Sequence, residues 1–194
     1  MRIGIDISQI VHEGTGVGKY VQEMVRALVR EDSKNEYILF GASLRKRQVF
    51  SIFFDSLSAA KKVTLKVFPI PPTLLDLLWN ILHIFPIQWF IGKIDVFWSS
   101  DWTQPPLGSA KGMTTIHDLI AIKFPEETHN LTEFSGSKMN ISSNIHAVHI
   151  RRLRRVKEEC DVILCDSEAT KNDCISLLGL DPKSISVVYP GYSL

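Results

Sequence analysis

The chain has 194 residues, 45% apolar and 22% charged, with 22 Lys and Arg against 21 Asp and Glu for a formal net charge of +1. Those proportions exclude a disordered or collagen-like chain, and the neutrality speaks against a nucleic-acid partner. A chain this long buries about 70% of its unfolded surface, which supports one real core and a single domain.

Arg2–Ile7 is a short apolar run suited to a buried strand. The period then changes. Val17, Tyr20, Val21, Met24, Val25 and Leu28 fall on one face of a helix spanning 17–30. Tyr37–Phe40, Val63–Phe68, Asp95–Trp98, Met113–His117, Asp161–Cys165 and Ile185–Tyr189 read as further strands. Helical stretches fill 43–60, 73–92, 144–159 and 168–178 between them. β-branched runs alternating with helices predict an α/β, Rossmann-like fold, a mostly parallel sheet with helices on both faces. Such sheets bind ligands at the carboxyl ends of their strands, so chemistry is sought just after each one.

The loop after the first strand is Gly14-Thr15-Gly16-Val17-Gly18-Lys19-Tyr20, opening a helix. Glycines there let backbone N–H groups approach an anion at the helix N-terminus, or simply make a flexible turn. A P-loop fails, because Glu13 stands at the first glycine position and Tyr20 at the metal-binding hydroxyl. A dinucleotide fingerprint fails as well, since the spacing is G-x-G-x-G and no acid ends the second strand near Phe40. After the fifth strand comes Thr114-Thr115-Ile116-His117-Asp118-Leu119. A His-Asp pair at a strand end can bind a polar ligand or move a proton, or be a structural histidine. No G-x-S-x-G elbow accompanies it, which argues against a serine hydrolase.

The neutrality hides a skew. Residues 43–67 carry Arg45, Lys46, Arg47, Lys61, Lys62 and Lys66 against Asp55 alone. Residues 138–157 carry Lys138, Arg151, Arg152, Arg154, Arg155 and Lys157 and no acid. Each run reads either as a solvated helix face or as an attraction to an anionic membrane or phosphorylated ligand. Residues 74–91 are apolar but interrupted by Asp76, Asn80, His83, Pro86 and Gln88, so they do not span a bilayer. They read as two short core helices or as an interfacial segment. Three cysteines without C-x-x-C exclude a disulfide framework and a standard zinc site, and Cys160, Cys165 and Cys174 read as small core residues. The opening MRIGIDIS lacks a signal peptide's long apolar region, which predicts a cytoplasmic chain. In the cytoplasm the sequons at Asn130 and Asn140 meet no glycosylation machinery.

GTGVGKY, Leu78-Trp79 to Pro86, IDVFWSSDWTQPP, TTIHDL, FPEE, CDVILCDSEATKNDCI and SVVYPGYS, in this order, resemble retaining glycosyltransferases of family four, in the mannosyltransferase-like group 1 branch. The resemblance covers essentially the whole chain. It implies the N-terminal half of a GT-B fold, in which two Rossmann-like domains face across a cleft. It implies transfer of a sugar from a nucleotide-sugar donor with retention, without a metal or other cofactor, to a glycan or lipid-linked acceptor. Carried over residue by residue, Gly16 and Gly18 face the donor phosphates and the acceptor, and Lys19 stands where the family often has Arg. His117 contacts the donor sugar as the catalytic residue, Asp118 supports it, and Ser167 caps a helix.

The resemblance also implies a division of labour. Residues 1–188 form the acceptor-side domain, residues 189–194 begin the crossover, and the nucleotide-sugar domain is missing. A chain without it is expected to be nearly inactive alone and to leave apolar surface at Leu74–Ile91 and Val187–Tyr192 open to self-association or to a membrane. Competing readings are a stand-alone glycan- or lipid-binding module, half of a split enzyme, or a nicotinamide enzyme, the last disfavoured by the loop spacing.

Overall fold

The computed structural model describes residues 1–57, 62–124 and 141–191, and for 141–145 the backbone only. The Asn130 and Asn140 sequons, Pro125–Glu127 of the FPEE segment, Lys61, Lys138 and Tyr192 lie outside the described residues.

Seven strands form one wholly parallel sheet: β1 (Arg2–Asp6), β2 (Glu36–Ala42), β3 (Val63–Phe68), β4 (Val96–Ser99), β5 (Lys111–Ile116), β6 (Val162–Cys165) and β7 (Ile185–Val187). Their spatial order is β3-β2-β1-β4-β5-β6-β7. The connecting helices are α1 (Gly16–Glu31), α2 (Arg47–Asp55), α3 (Pro72–Leu75), α4 (Gln88–Ile91), α5 (Ile120–Lys123), α6 (Ile141–Glu159) and α7 (Glu168–Leu178). The sheet is buried on both faces, as parallel sheets must be. Along β2, Tyr37 and Leu39 join a core with Val25, Val29, Phe50 and Phe53 of α1 and α2. The alternate residues Ile38, Phe40 and Ala42 join Trp79, Ile91 and Phe97 on the opposite face. A third cluster closes the other end with Ile116, Val156, Ile163, Cys165 and Cys174. Gly112 of β5 is fixed by close approach. A Cβ there would lie 2.2 Å from the Glu159 carbonyl oxygen at the end of α6.

Strand order reverses at β1, whose neighbours are β2 on one side and β4 on the other. The crevice beyond the carboxyl ends of β1 and β4 is where such a sheet takes its ligand.

All seven expected strands are present. The helical stretch over 73–92 is interrupted, as the reading of two short helices broken at Pro86 expects. It is divided into α3, a π-helical turn (Asp76–Ile81) and α4. Pro86 cannot continue a helix, and His83 and Phe85 adopt φ of 55° and 62°. Two side chains of α6 close the π turn. Arg155 donates to the Asn80 and Ile81 carbonyls, and Glu159 holds His83 Nε2 at 2.8 Å. Leu75, Trp79, Ile87 and Ile91 enter the core, while Leu77, Leu82, Ile84 and Trp89 stay exposed, Trp89 by 73%. The helix expected over 43–60 is shorter too, covering Arg47–Asp55.

The basic stretch of α6 is divided between its faces: Arg154 and Lys157 are exposed, and the other three arginines are engaged with the protein. Arg151 pairs with Asp76, Arg152 is fully buried, and Arg155 caps the π turn. Arg45, Lys46 and Arg47 at the start of α2 are exposed.

Candidate active site

Thr15 is the N-cap of α1, its hydroxyl accepting from the Gly18 N–H at 3.2 Å and donating to the His12 carbonyl at 2.8 Å. Gly14 turns the chain into the helix with φ of 78°. The glycines expected to act together have different situations. Gly16 is exposed with nothing near the position of a Cβ. Gly18 is buried, and a Cβ would meet Thr15 Oγ1 and the His12 and Gln9 carbonyls at 3.0–3.2 Å. Its N–H is taken by the cap, so the first-turn donors left to an anion are those of Gly16 and Val17. Lys19 is exposed beside them. Gly18→Ala is therefore expected to lower the thermal midpoint by several degrees, while Gly16→Ala leaves it within about a degree, as followed by circular dichroism.

His117 stands just past β5 with its side chain 14% exposed. Its Nδ1 is 2.6 Å from Asp166 Oδ2, just past β6. Its ring and that of Tyr20 on α1 meet edge to face, the centroids 4.8 Å apart and the planes 84° apart. Thr170 of α7 donates to its carbonyl oxygen at 3.0 Å, and Ser167 caps that helix as expected, accepting from the Thr170 N–H. The loop helix and the histidine thus share the carboxyl edge of the sheet.

The sequence pairs His117 with the wrong aspartate. Asp118 is exposed and accepts from the Ile120 N–H, opening the short α5. Asp166 is the partner, supplied by the next strand end.

A second polar cluster lies at the switch point. Arg152 reaches through from α6 and donates to the Ser100 carbonyl (3.0 Å), Asp101 Oδ1 (3.1 Å), Thr114 Oγ1 (2.6 Å) and the Thr115 carbonyl (3.2 Å). Asp6, at the end of β1, is 2% exposed. Its Oδ1 accepts from the Ser8 N–H at 2.8 Å. Burial pushes its pKa above the ordinary value of 3.8, against the opposing pull of Ser8, Ser100 and Arg152. The folded chain thus keeps the Asp6 proton to higher pH than the unfolded chain does. Wild-type stability from this group falls as pH rises from about 3.9 through the raised value. Asp6→Asn should melt higher than wild type at pH 7, the gain shrinking to nothing in acid.

The site opens as two adjoining spaces. A cleft of about 500 Å³ is lined by Ser8, His12, Thr15, Lys46, Leu75 and Trp102 among others. A recess with about 20 Å³ of free space lies under α1, between Asp6, Tyr20, Trp98, Thr115 and His117. Val17, Ser100 and Asp101 line both.

The parallel sheet thus carries a capped helix start after β1 and, past β5, a histidine held by Asp166, both at its carboxyl edge. The model of the family described as Glycosyltransferase Family 4 matches residues 14–194, and the chain belongs to that family. No curated protein matches it.

Proposed function

We propose that this domain is the acceptor-side half of a glycosyltransferase that moves a hexose such as mannose from a nucleotide sugar, with retention and without a metal, to a glycan or lipid-linked acceptor. The observation that carries the reading is His117, held by Asp166 and packed on Tyr20 of α1 in the recess that adjoins the switch-point cleft, in a family-four chain. In this reading His117 touches the donor sugar. The N–H groups of Gly16 and Val17, with Lys19, face the departing phosphates or the acceptor. A second domain holds the nucleotide and stabilises the leaving diphosphate, the electrostatic contribution that usually dominates such chemistry.

The test is transfer of labelled sugar from a panel of nucleotide hexoses to polyprenyl phosphate and oligosaccharide acceptors. It compares the chain alone with the chain supplied with a family nucleotide-binding domain, fused or in trans. Transfer that depends on that domain supports the reading. Transfer at full rate by the isolated chain overturns the division of labour. Acceptor binding with no transfer under either condition leaves the stand-alone binding module.

A peripheral membrane position fits one rim of the cleft. Among the described residues no helix is long and apolar enough to cross a membrane. Lys46 and Leu75 both line the cleft, and beside them are the exposed Arg45, Arg47, Leu74 and Leu77. Cosedimentation with vesicles should rise with anionic lipid and fall with salt, and Arg45→Glu with Arg47→Glu should abolish that dependence. Binding indifferent to both salt and charge reversal would assign it to the apolar residues alone.

A further inference from the structure

We propose that the recess under α1 is a slot for a single neutral hydroxyl, with Asp6 Oδ2 as its hydrogen-bond acceptor, so that the cleft takes a neutral sugar arm and rejects the matching carboxylate. The proposal rests on the glycosyltransferase reading of the cleft and narrows its substrate class.

Asp6 Oδ2 is a buried oxygen with no hydrogen-bond partner among the described residues. A buried carboxylate left half-satisfied is costly, and natural interiors rarely keep one without a ligand, a water or a task. The other oxygen is committed to the Ser8 N–H, and the Ser8 hydroxyl, which accepts from the Ala42 N–H at 3.0 Å, is also close enough to draw on the carboxylate. Ser100 Oγ is close enough to draw on the carboxylate, but outside hydrogen-bond geometry, and it accepts from the Trp102 and Thr103 N–H groups at 3.4 Å.

The recess is the right size for one small polar group. Its free space of about 20 Å³ admits a water or one hydroxyl, and not a sugar ring. Its walls are largely apolar, with Val17, Tyr20, Val21, Met24 and Trp98 around the polar end. The Trp98 indole N–H is already spent on Thr115 Oγ1, at 3.2 Å.

Charge fixes what enters. Arg152 is the cation nearest the polar end, and four of its contacts are with Ser100, Asp101, Thr114 and Thr115. A guanidinium has five N–H donors, so little remains for an anionic ligand. The slot therefore offers an acceptor and a second carboxylate, Asp101, at its mouth. A hydroxyl donates to Asp6, whereas a carboxylate in the same place meets like charge.

The test is ligand-observed NMR titration of the whole chain with methyl α-hexopyranosides and their hexuronides, and with a nucleoside-diphosphate hexose and its hexuronate. The neutral member of a pair should bind at least tenfold more tightly. Asp6→Asn keeps the acceptor for Ser8 and replaces the charge with a donor, and it should bring the two members within threefold. Val17→Phe fills the junction of recess and cleft and should abolish neutral-sugar binding. Competition between methyl hexoside and nucleotide hexose would place the arm on the donor, and simultaneous binding would place it on the acceptor.

Sugar binding without discrimination, unchanged in Asp6→Asn, overturns the proposal and leaves the glycosyltransferase reading intact, the hole then holding only water. Neutral-sugar binding that survives Val17→Phe also overturns it. Binding of none of the probes overturns the slot, and the glycosyltransferase reading then stands or falls on the transfer assay with the second domain supplied.

Discussion

His117→Ala should lower kcat/KM for sugar transfer by about 10²–10³-fold, the size of effect found when one well-placed polar group is removed from a reacting centre. The assay is the transfer reaction with the nucleotide-binding domain supplied. The ring is held by Asp166 at Nδ1 and by its edge-to-face contact with Tyr20, and the Thr170 bond fixes the backbone that carries it. Such fixing leaves Nε2 as the ring nitrogen without a partner among the described residues. The carboxylate selects the tautomer with the proton on Nδ1, which makes Nε2 an acceptor in the neutral ring and a donor in the protonated one. Asp166→Asn preserves the shape but presents an amide that can also donate, so the tautomer is no longer enforced. It should lower the rate by at least tenfold. The double variant His117→Ala, Asp166→Asn should be no slower than His117→Ala alone, because Asp166 acts through the ring. Multiplicative losses in the double variant would mean that Asp166 acts on the substrate by itself.

The sheet was legible in the sequence because its strands are short apolar runs bounded by glycine, proline and polar residues. Helix α1 was legible from the spacing of Val17, Tyr20, Val21, Met24, Val25 and Leu28. The rest of the site depends on register, which sequence spacing alone does not state. Ile116 pairs with Cys165, so the residues that follow them, His117 and Asp166, are neighbours across two strand ends. Asp118, next to His117 in the chain, was the tempting partner, but successive residues leave a strand in opposite directions. Ile5 pairs with Trp98, and this brings Asp6 to the Ser99–Asp101 turn. Asp6 carries no signal of its own in the sequence, because it lies inside the apolar run Arg2–Ile7. Arg152 was hidden inside a basic run, yet it lies four residues from both Val148 and Val156 on the buried stripe of α6. That spacing was the available signal. The interruption of residues 73–92 was signalled by Pro86, but the π turn was not, since its closure depends on Arg155 and Glu159 far along the chain.

Arg152→Met should cost about 3–5 kcal/mol of stability, the range for removing one partner of a buried ion pair. For a chain of this size that lowers the thermal midpoint by about 10 °C or more. Burial of this arginine is complete, and its guanidinium joins four acceptors at the carboxyl ends of β4 and β5. Methionine fills much of the volume but satisfies none of them. The Ser100 and Thr115 carbonyls and Asp101 lose their donor, and Asp6 loses the cation that opposes its desolvation. Arg152→Lys should recover little, because a compact ammonium with three donors cannot reach a fork of acceptors laid out for a planar group. Asp101→Asn added to Arg152→Met should regain part of the loss by removing the stranded carboxylate, and that recovery separates a charge effect from a packing effect. The measurements are circular-dichroism melts and urea midpoints at pH 7. A midpoint for Arg152→Met within about 2 °C of wild type would show that water replaces the guanidinium, and that the strand ends bearing the recess hold their positions without it.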